Sequence, residues 1–151
     1  MTSSFTLRPY RPEDEEAAIA LWLTSWQHAY PRIDFAARMP WWRERWRGEL
    51  VPNAAIIVAE QQDRLLGFVT IDQQGYLDQL VVAPDHWGSE LGTMLVKEAK
   101  RLSPSSITLL VNTDNARAIR FYERNGFVHM GEDVNPISGR SVKKMEWKAG
   151  N

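Results

Sequence analysis

Residues 75–102 carry the pattern that most limits the fold, because a strand pattern passes there through a short turn into a helix pattern. The residues from 76 to 82 are mostly aromatic or aliphatic, and Pro84 blocks continuation of the strand. After the turn at 88–92, apolar residues recur with helical spacing, at Leu91, Met94, Leu95, Ala99 and Leu102. A strand that runs through a glycine-bearing turn into a helix leaves amide groups unpaired. Together with the positive end of the helix dipole, these amides form an anion site suited to a pyrophosphate.

The composition indicates a single folded domain, which we expect to cover residues 1–151. Lys and Arg total 18 and Asp and Glu total 19, and the formal net charge of -1 argues against a nucleic-acid partner. The absence of cysteine excludes disulfides, zinc–thiolate sites and a cysteine nucleophile. The sequence has neither a signal-type apolar segment at its N-terminus nor a segment long enough to span a bilayer. We therefore expect a cytoplasmic protein without a membrane partner.

The patterns along the chain predict the order strand, two helices, three strands, helix, strand, helix and two strands. The predicted ranges are 5–7, 12–30, 41–50, 54–60, 65–72, 76–82, 88–102, 107–111, 116–125, 127–134 and 141–147. Several strands precede the first strand–helix–strand crossover. The sheet should therefore be mixed, antiparallel early in the chain and parallel around the central strand, which is an α/β fold of α+β-like character.

A second group of residues that can carry chemistry lies between Asn112 and Phe127. Asn115 can cap the helix that follows it, and Tyr122 lies seven residues on, two turns or about 10 Å along the same face. A hydroxyl there, beside the mouth of the central sheet, can donate a proton to a leaving group. For either residue alone, a capping Asn and a half-buried core Tyr is the more common interpretation.

Taken together, the two stretches resemble the GNAT superfamily of acyl-CoA-dependent N-acetyltransferases, and the resemblance covers nearly the whole chain. Residues 7–9, with Asp14 and Glu15, are similar to the family's opening. The strand at 80–84 and the turn and helix that follow resemble its pyrophosphate-binding segment. The strongest match runs from Asn115 through Phe121-Tyr122-Glu123 to Gly126-Phe127, which resembles the family's signature in order and spacing.

The resemblance implies a GNAT-type fold, with about seven strands, a splayed parallel pair at its centre and about four helices. It also implies an enzyme that moves an acetyl group from acetyl-CoA to a primary amine by direct attack in a ternary complex. Backbone groups of Leu80, Val81 and Val82 would pair with the pantetheine arm. The pyrophosphate would be held by backbone N–H groups of Trp87, Gly88, Ser89, Glu90, Leu91, Gly92 and Thr93. Asn115 would contact the cofactor, Tyr122 would protonate the CoA thiolate, and the N–H near Val82 would polarise the thioester carbonyl.

The turn departs from the family pattern at two positions. The family usually has Gln or Arg, two residues, Gly, one residue and then Gly or Ala. Here Trp87 stands first and Glu90 replaces the first glycine, while Gly92 is kept. A glutamate directed inward would repel a diphosphate, whereas one directed to solvent would favour the helix N-terminus. One alternative is therefore a degenerate acyl-CoA-binding or interaction module of the same fold. Another, a dinucleotide-binding oxidoreductase, lacks its three-glycine fingerprint.

The candidate general base is Asp78, with Tyr76 behind it. Strict alternation would place Tyr76, Asp78, Leu80 and Val82 on one face of the central strand. A solvated or structural Asp78 is an equally good interpretation, and an amine that arrives partly deprotonated needs no dedicated base.

The acceptor site is expected between the first two helices, with Trp26, Tyr30 and Tyr76 as candidate substrate-binding residues. The other candidates there are Trp22, His28, Asp34, Phe35, Trp41, Trp42 and Trp46. Aromatic residues at helical spacing are more often core than pocket, but so many suggest an apolar, aromatic or cationic acceptor. The acceptor is predicted to be a small-molecule amine or a peptide N-terminus. The histidines lack metal-ligand spacing, so no metal is assigned. The final hairpin can pair with a second subunit in a homodimer.

Overall fold

The protein is described by a computed structural model that covers residues 5–136 and 138–150. Within these ranges it contains seven strands and four helices, in the predicted order. The elements are β1 Thr6–Pro9, α1 Glu15–Ala29, α2 Met39–Arg45, β2 Ala54–Gln61, β3 Arg64–Asp72, β4 Leu77–Val82, α3 Leu91–Leu102, β5 Ser106–Asn112, α4 Ala116–Arg124, β6 Val128–Val134 and β7 Ser141–Lys148. Helix α2 is shorter than predicted because it widens into a π-helical turn, Trp46–Leu50, before a last turn at Val51–Asn53. None of the described helices is both long and apolar enough to cross a membrane.

The strands form two antiparallel sheets that meet at one point. The first sheet has the order β1-β2-β3-β4 and the second has the order β5-β7-β6. Strands β4 and β5 run parallel and touch where Tyr76 bridges Thr108, whose amide donates to the carbonyl of Gly75 at 2.9 Å. Beyond that bridge the two strands separate. The predicted splayed parallel pair is therefore confirmed, and a gap opens between the carboxyl ends of β4 and β5.

A β-bulge interrupts β4 near this bridge. Between Leu77 and Leu80, β4 advances by three residues while its partner on β3 advances by two. The extra residue is accommodated opposite Thr70, whose buried hydroxyl accepts a hydrogen bond from the amide of Gln79 at 3.0 Å. A bulge of this kind bends the strand and increases its twist, which helps β4 to turn away from β5.

The bulge also makes the predicted alternation along β4 wrong. Paired residues on neighbouring strands share a face, and residues two apart on β3 share a face, so Leu77 and Leu80 lie on the same side. Tyr76 is adjacent to Leu77 and therefore lies on the side opposite Leu80 and Val82. Asp78 lies within the bulge itself.

The two faces of the first sheet are covered by different helices. Helix α3 packs closely on one face, where a Cβ added at Gly67 would lie 3.0 Å from Leu95. On the other face Trp46 meets Phe68 edge-on, with ring centroids 5.2 Å apart. This second face carries α1 and α2 and, by the alternation described above, also carries Tyr76.

Most tryptophans of the first two helices form the core beneath them. Trp22 and Trp42 stack with centroids 4.5 Å apart, and Trp46 packs against Trp42 at 6.0 Å. All three are buried, so they belong to the core and do not line an acceptor pocket. Trp41, by contrast, is 40% exposed.

Candidate active site

The free edge of β4 offers backbone groups to the gap at alternate residues. The amide of Ala83 donates to the carbonyl of Leu66 on β3 at 2.8 Å, and Val81 is the next residue paired in this way, opposite Phe68. The backbone groups of Val81 are thus directed to β3, while those of Leu80 and Val82 face the gap. Of the three strand residues predicted to meet a bound arm, two are placed to do so with their backbones.

The carbonyl of Val82 already has two donors. The indole Nε1 of Trp87 donates to it at 2.7 Å, and the hydroxyl of Ser25 on α1 donates at 3.0 Å. The amide N–H of Val82, which was predicted to polarise a thioester carbonyl, remains directed to the gap. Sequence reasoning did not find Ser25, because a serine within an amphipathic helix has no distinguishing signal.

The turn before α3 combines amides that are satisfied internally with amides that are not. The amides of Trp87, Ser89 and Leu91 donate to groups within the turn, at 3.1 to 3.3 Å. No acceptor among the described residues meets the other four predicted amides, which belong to Gly88, Glu90, Gly92 and Thr93. Because they open a 12-residue helix, these four N–H groups suit an anion.

Glu90 does not close this anion site. Its side chain is exposed and makes no hydrogen bond to the amides that open α3. A carboxylate in this position favours the helix N-terminus and leaves the neighbouring N–H groups available. The reason for expecting a degenerate module is thereby removed.

The kept glycine, Gly92, is required by its neighbour on α4. A Cβ added there would lie 3.0 and 3.1 Å from two ring atoms of Phe121. Distances this short mean that the ring or the turn would have to move. Gly92 therefore lets α3 and α4 approach closely at the mouth of the gap, whatever binds there.

Helix α4 presents the predicted signature. The side chain of Asn115 accepts a hydrogen bond from the amide of Ala118 at 3.2 Å, which confirms the predicted cap. At the other end Gly126 has a φ of 90°, and Phe127 donates to the carbonyl of Tyr122 at 3.0 Å. The side-chain nitrogen of Asn115 is left available for a ligand.

Tyr122 is buried, with only 8% of its surface exposed, between Phe121 and Phe127 at centroid distances of 5.3 and 5.4 Å. Its hydroxyl has no hydrogen-bond partner within the described part of the chain. Burial raises the pKa of Tyr122 well above its usual range, although the nearby positive charge of Arg117 opposes the shift. The phenol therefore stays protonated at neutral pH, as a proton donor must.

Asp78 is held by an arginine that sequence reasoning missed. The guanidinium of Arg45 binds both carboxylate oxygens, at 2.8 and 2.5 Å, and Gln79 donates to one of them at 3.1 Å. Burial, followed by the charge of Asp78, raises the pKa of Tyr76 to about 12. Neither side chain is thus arranged as a free base at neutral pH. Arg45 and Asp78 are far apart in the sequence, so no local pattern predicts that they form an ion pair.

Tyr30 closes a network at the end of α1. Its hydroxyl donates to Asp114 at 2.9 Å and accepts from the side chain of Asn112 at 3.2 Å. Arg140 lies over its ring at 4.9 Å and also binds Asp114. Trp26 stacks on the same ring, with centroids 5.9 Å apart. The two predicted substrate residues of α1 therefore lie together, beside the carboxyl end of β5.

The sequence profile of the Acetyltransferase (GNAT) family matches residues 15–127. This chain belongs to that family. The peptidyl-lysine N-acetyltransferase YjaB of Salmonella typhimurium is 33% identical over 122 residues, which cover 80% of this chain and 81% of that protein. The predicted enzyme class, an N-acetyltransferase, is confirmed. The dinucleotide-binding oxidoreductase is excluded by family membership.

Two solved structures show the same fold. The apo form of YjaB from Escherichia coli has a TM-score of 0.78 and 25% identity, over 95% of this chain and 97% of that one. The PaiA N-acetyltransferase of Thermoplasma acidophilum, solved in complex with coenzyme A, has a TM-score of 0.74 and 22% identity, over 96% and 99%. The predicted GNAT-type fold is confirmed by both.

Proposed function

We propose that this chain is one catalytic domain that transfers the acetyl group of acetyl-CoA directly to a primary amine, with the side chain of a lysine in a peptide or protein as acceptor. The observation that carries the proposal is the gap between β4 and β5, where free backbone groups and unpaired amides lie at the same opening. The choice of lysine is supported by the name of the YjaB relative. A small-molecule amine or a peptide N-terminus, the acceptors predicted from sequence, are tested beside it.

The described residues fit acetyl-CoA. The backbone of Leu80 and the amide of Val82 are placed to pair with an extended amide-containing arm in the gap. The four unpaired amides that open α3 suit the diphosphate, and the free side-chain nitrogen of Asn115 suits a carbonyl oxygen of the arm. Acetyl-CoA supplies an acetyl group activated as a thioester.

The protein contributes two groups to the chemistry: a proton donor for the leaving sulfur and a hydrogen-bond donor that stabilises the negative charge on the carbonyl oxygen. Tyr122 Oη keeps a proton ready for the leaving sulfur, because burial disfavours its ionised form. The amide of Val82 is the donor for the carbonyl oxygen as negative charge develops there. Tyr122 packs against Phe121, whose ring lies close to Gly92 in the turn before α3, and this supports its location beside the gap.

We assign Asp78 a positioning role. Both of its oxygens bind Arg45, so it fixes α2 to the bulge of β4. Tyr76, with its pKa at about 12, remains a neutral phenol on the acceptor side of the sheet. The acceptor ammonium therefore loses one proton to solvent before it attacks. Its nitrogen loses a second proton to solvent as the amide forms, and solvent returns a proton to Tyr122 in place of the one given to sulfur. Trp26 and Tyr30 offer aromatic surface to the carbon chain of the acceptor.

The test is a thiol-release assay with acetyl-CoA and three acceptors. These are a peptide with a blocked N-terminus and one free lysine, the same peptide with a free N-terminus and a blocked lysine, and spermidine. We expect the free lysine to give the highest kcat/KM. Calorimetry with CoA accompanies the assay, so that CoA binding without thiol release from any acceptor would indicate a degenerate module. Absence of both would refute the proposal.

We also propose a homodimer through β6, as predicted for the final hairpin. This outer strand exposes Val128, Met130 and Val134 by 53 to 58%. Antiparallel pairing of two copies about Gly131 would place His129 opposite Asp133 and Val128 opposite Val134 of the second copy, so no like charges stand directly opposite one another. Light scattering of the wild type and of Met130→Lys tests this, with a monomeric variant as the supporting outcome and a monomeric wild type as the contrary one. The cytoplasmic location stays a prediction.

A further inference from the structure

Trp87 occupies the position in the turn before α3 where the family usually has a polar or charged side chain. The family pattern begins with Gln or Arg, and an arginine at that position would bring a positive charge to the diphosphate. In this chain the indole of Trp87 is fixed by its hydrogen bond to the carbonyl of Val82 at 2.7 Å. On its edge it meets the ring of His28, with centroids 5.0 Å apart. The indole is therefore a rigid surface beside the unpaired amides, and it carries no charge of its own.

A cation reaches that surface from α4. The guanidinium carbon of Arg117 lies 3.8 Å from the centroid of the Trp87 ring, which is a close cation–π contact. Arg117 is in the first turn of α4, two residues after the cap Asn115. The next residue after Trp87 is Gly88, whose amide is one of the four without an acceptor. The positive charge that the turn lacks is thus supplied by Arg117 on α4.

Arg117 differs from five other arginines of the described structure. Arg8, Arg43, Arg45, Arg47 and Arg140 each bind a carboxylate. Arg117 makes no ion pair or hydrogen bond within the described residues. Arg117 is exposed as a residue, but partial desolvation of its guanidinium lowers its pKa, and the ionisable groups that affect it, Tyr122 and Tyr30, are neutral phenols at pH 7. Its five N–H donors are therefore available to an anion.

We propose that Arg117 binds the diphosphate of acyl-CoA, and that Trp87 is the platform that holds its guanidinium over the turn. This inference rests on the proposed use of acyl-CoA. A guanidinium binds two phosphate oxygens at once, with a geometry that a lysine or a single amide does not reproduce. Arg117 adds this fork to the four amides of the turn and takes the role of the arginine that the turn lacks.

The experiment compares Arg117→Gln with Arg124→Gln by calorimetry. Arg124 is also on α4, is exposed and makes no ion pair with any described residue, so it gives the same loss of charge farther from the turn. The probes are CoA and pantetheine, which has no phosphate. We expect Arg117→Gln to weaken CoA binding by roughly 10- to 100-fold, the effect of losing hydrogen bonds to a charged group. Binding of pantetheine should be unchanged, and Arg124→Gln should change neither by more than about twofold.

Further variants examine the fork and the platform. Arg117→Lys keeps the charge but loses the fork, and should recover only part of the affinity. Trp87→Ala should weaken CoA binding in the same direction as Arg117→Gln, while Trp87→Phe, which keeps a ring, should weaken it less.

The outcomes separate the two proposals. If the wild type binds CoA and Arg117→Gln binds it equally well, or no worse than Arg124→Gln, the role of Arg117 is refuted and the proposed function stands. An equal loss for CoA and pantetheine would also refute it, since the effect would not involve the diphosphate. A folded wild type that binds no CoA would refute both.

Discussion

The indole nitrogen of Trp87 lies 2.7 Å from the carbonyl oxygen of Val82, on the edge of β4 that none of the described strands covers. The hydroxyl of Ser25 donates to the same oxygen at 3.0 Å, so both lone pairs of the carbonyl are used. The edge of a strand normally presents backbone donors and acceptors alternately. Here the last acceptor of β4, the Val82 carbonyl, already accepts hydrogen bonds from the protein itself. The proposed ligand in the gap would meet the backbone of Leu80 and the amide of Val82, and it would meet the ring of Trp87 in place of the Val82 carbonyl.

The two donors to Val82 should stabilise the fold in a coupled way. Trp87→Phe and Ser25→Ala should each lower the free energy of unfolding by about 1 kcal/mol, since each leaves one donor in place. The double variant should lose more than the sum, because the carbonyl is then left without any donor. Urea denaturation of the four proteins measures this, with Trp41→Phe as a control at an exposed site. Strictly additive losses would contradict the coupling.

Tyr122→Phe should separate the chemical step from binding. The hydroxyl has no partner in the described structure, so its removal should change the free energy of unfolding by less than about 0.5 kcal/mol. The loss of a positioned proton donor should lower kcat by about 10² to 10⁴-fold. Steady-state kinetics and CoA calorimetry check both parts. An unchanged kcat would remove Tyr122 from the acid role, and a loss confined to CoA affinity would make it a binding residue.

Asp78 should prove structural when its charge is removed. Asp78→Asn leaves the guanidinium of Arg45 partly buried without its carboxylate, and should lower the free energy of unfolding by about 2 kcal/mol. Replacing both partners, as in Arg45→Met with Asp78→Asn, should restore part of that loss. The pH profile of kcat/KM decides the role: we expect it to rise with pH up to the pKa of the acceptor amine in both the wild type and Asp78→Asn. Disappearance of an ionisation from the profile in the variant would make Asp78 the base.

The features predicted correctly from the sequence are those set by residues close together in the chain. Asn115 precedes, Tyr122 lies on and Gly126 follows one short helix, where spacing alone fixes the cap, the face and the end. The bulge was not predictable, because it depends on how β4 pairs with Thr70 on another strand, and it reversed the side assigned to Tyr76. Arg117 was not predicted for the same reason, since its proposed role depends on contact with the ring of Trp87, which is far away in the sequence.

The stability of the fold should fall at alkaline pH. Burial raises the pKa of Tyr122 above its usual range and that of Tyr76 to about 12, so the folded state keeps these protons when the unfolded state has lost them. The stabilisation is complete below about pH 10, the ordinary tyrosine pKa, and is lost as pH rises through the folded-state values. Urea denaturation at pH 8, 9.5 and 11 measures the slope. Tyr122→Phe and Tyr76→Phe should each flatten it more than Tyr10→Phe does, and equal slopes in all variants would contradict the assignment.

Gly92 provides a steric test of how the mouth of the gap is built. Gly92→Ala places a methyl group about 3 Å from the ring of Phe121, and should lower the free energy of unfolding by about 1 to 3 kcal/mol. The matched control is Gly48→Ala, where the added Cβ meets nothing within 4 Å and the backbone is helical, so stability should be unchanged or slightly higher.

Phe121→Leu in the Gly92→Ala background should recover part of the loss by making room for the methyl group, although the same change alone should destabilise the protein. Because the amides of Gly92 and Thr93 are in this turn, CoA affinity should fall and recover with stability across the series. A Gly92→Ala protein as stable as the wild type would show that the Phe121 ring moves aside for the added methyl group, and would contradict the expected steric conflict.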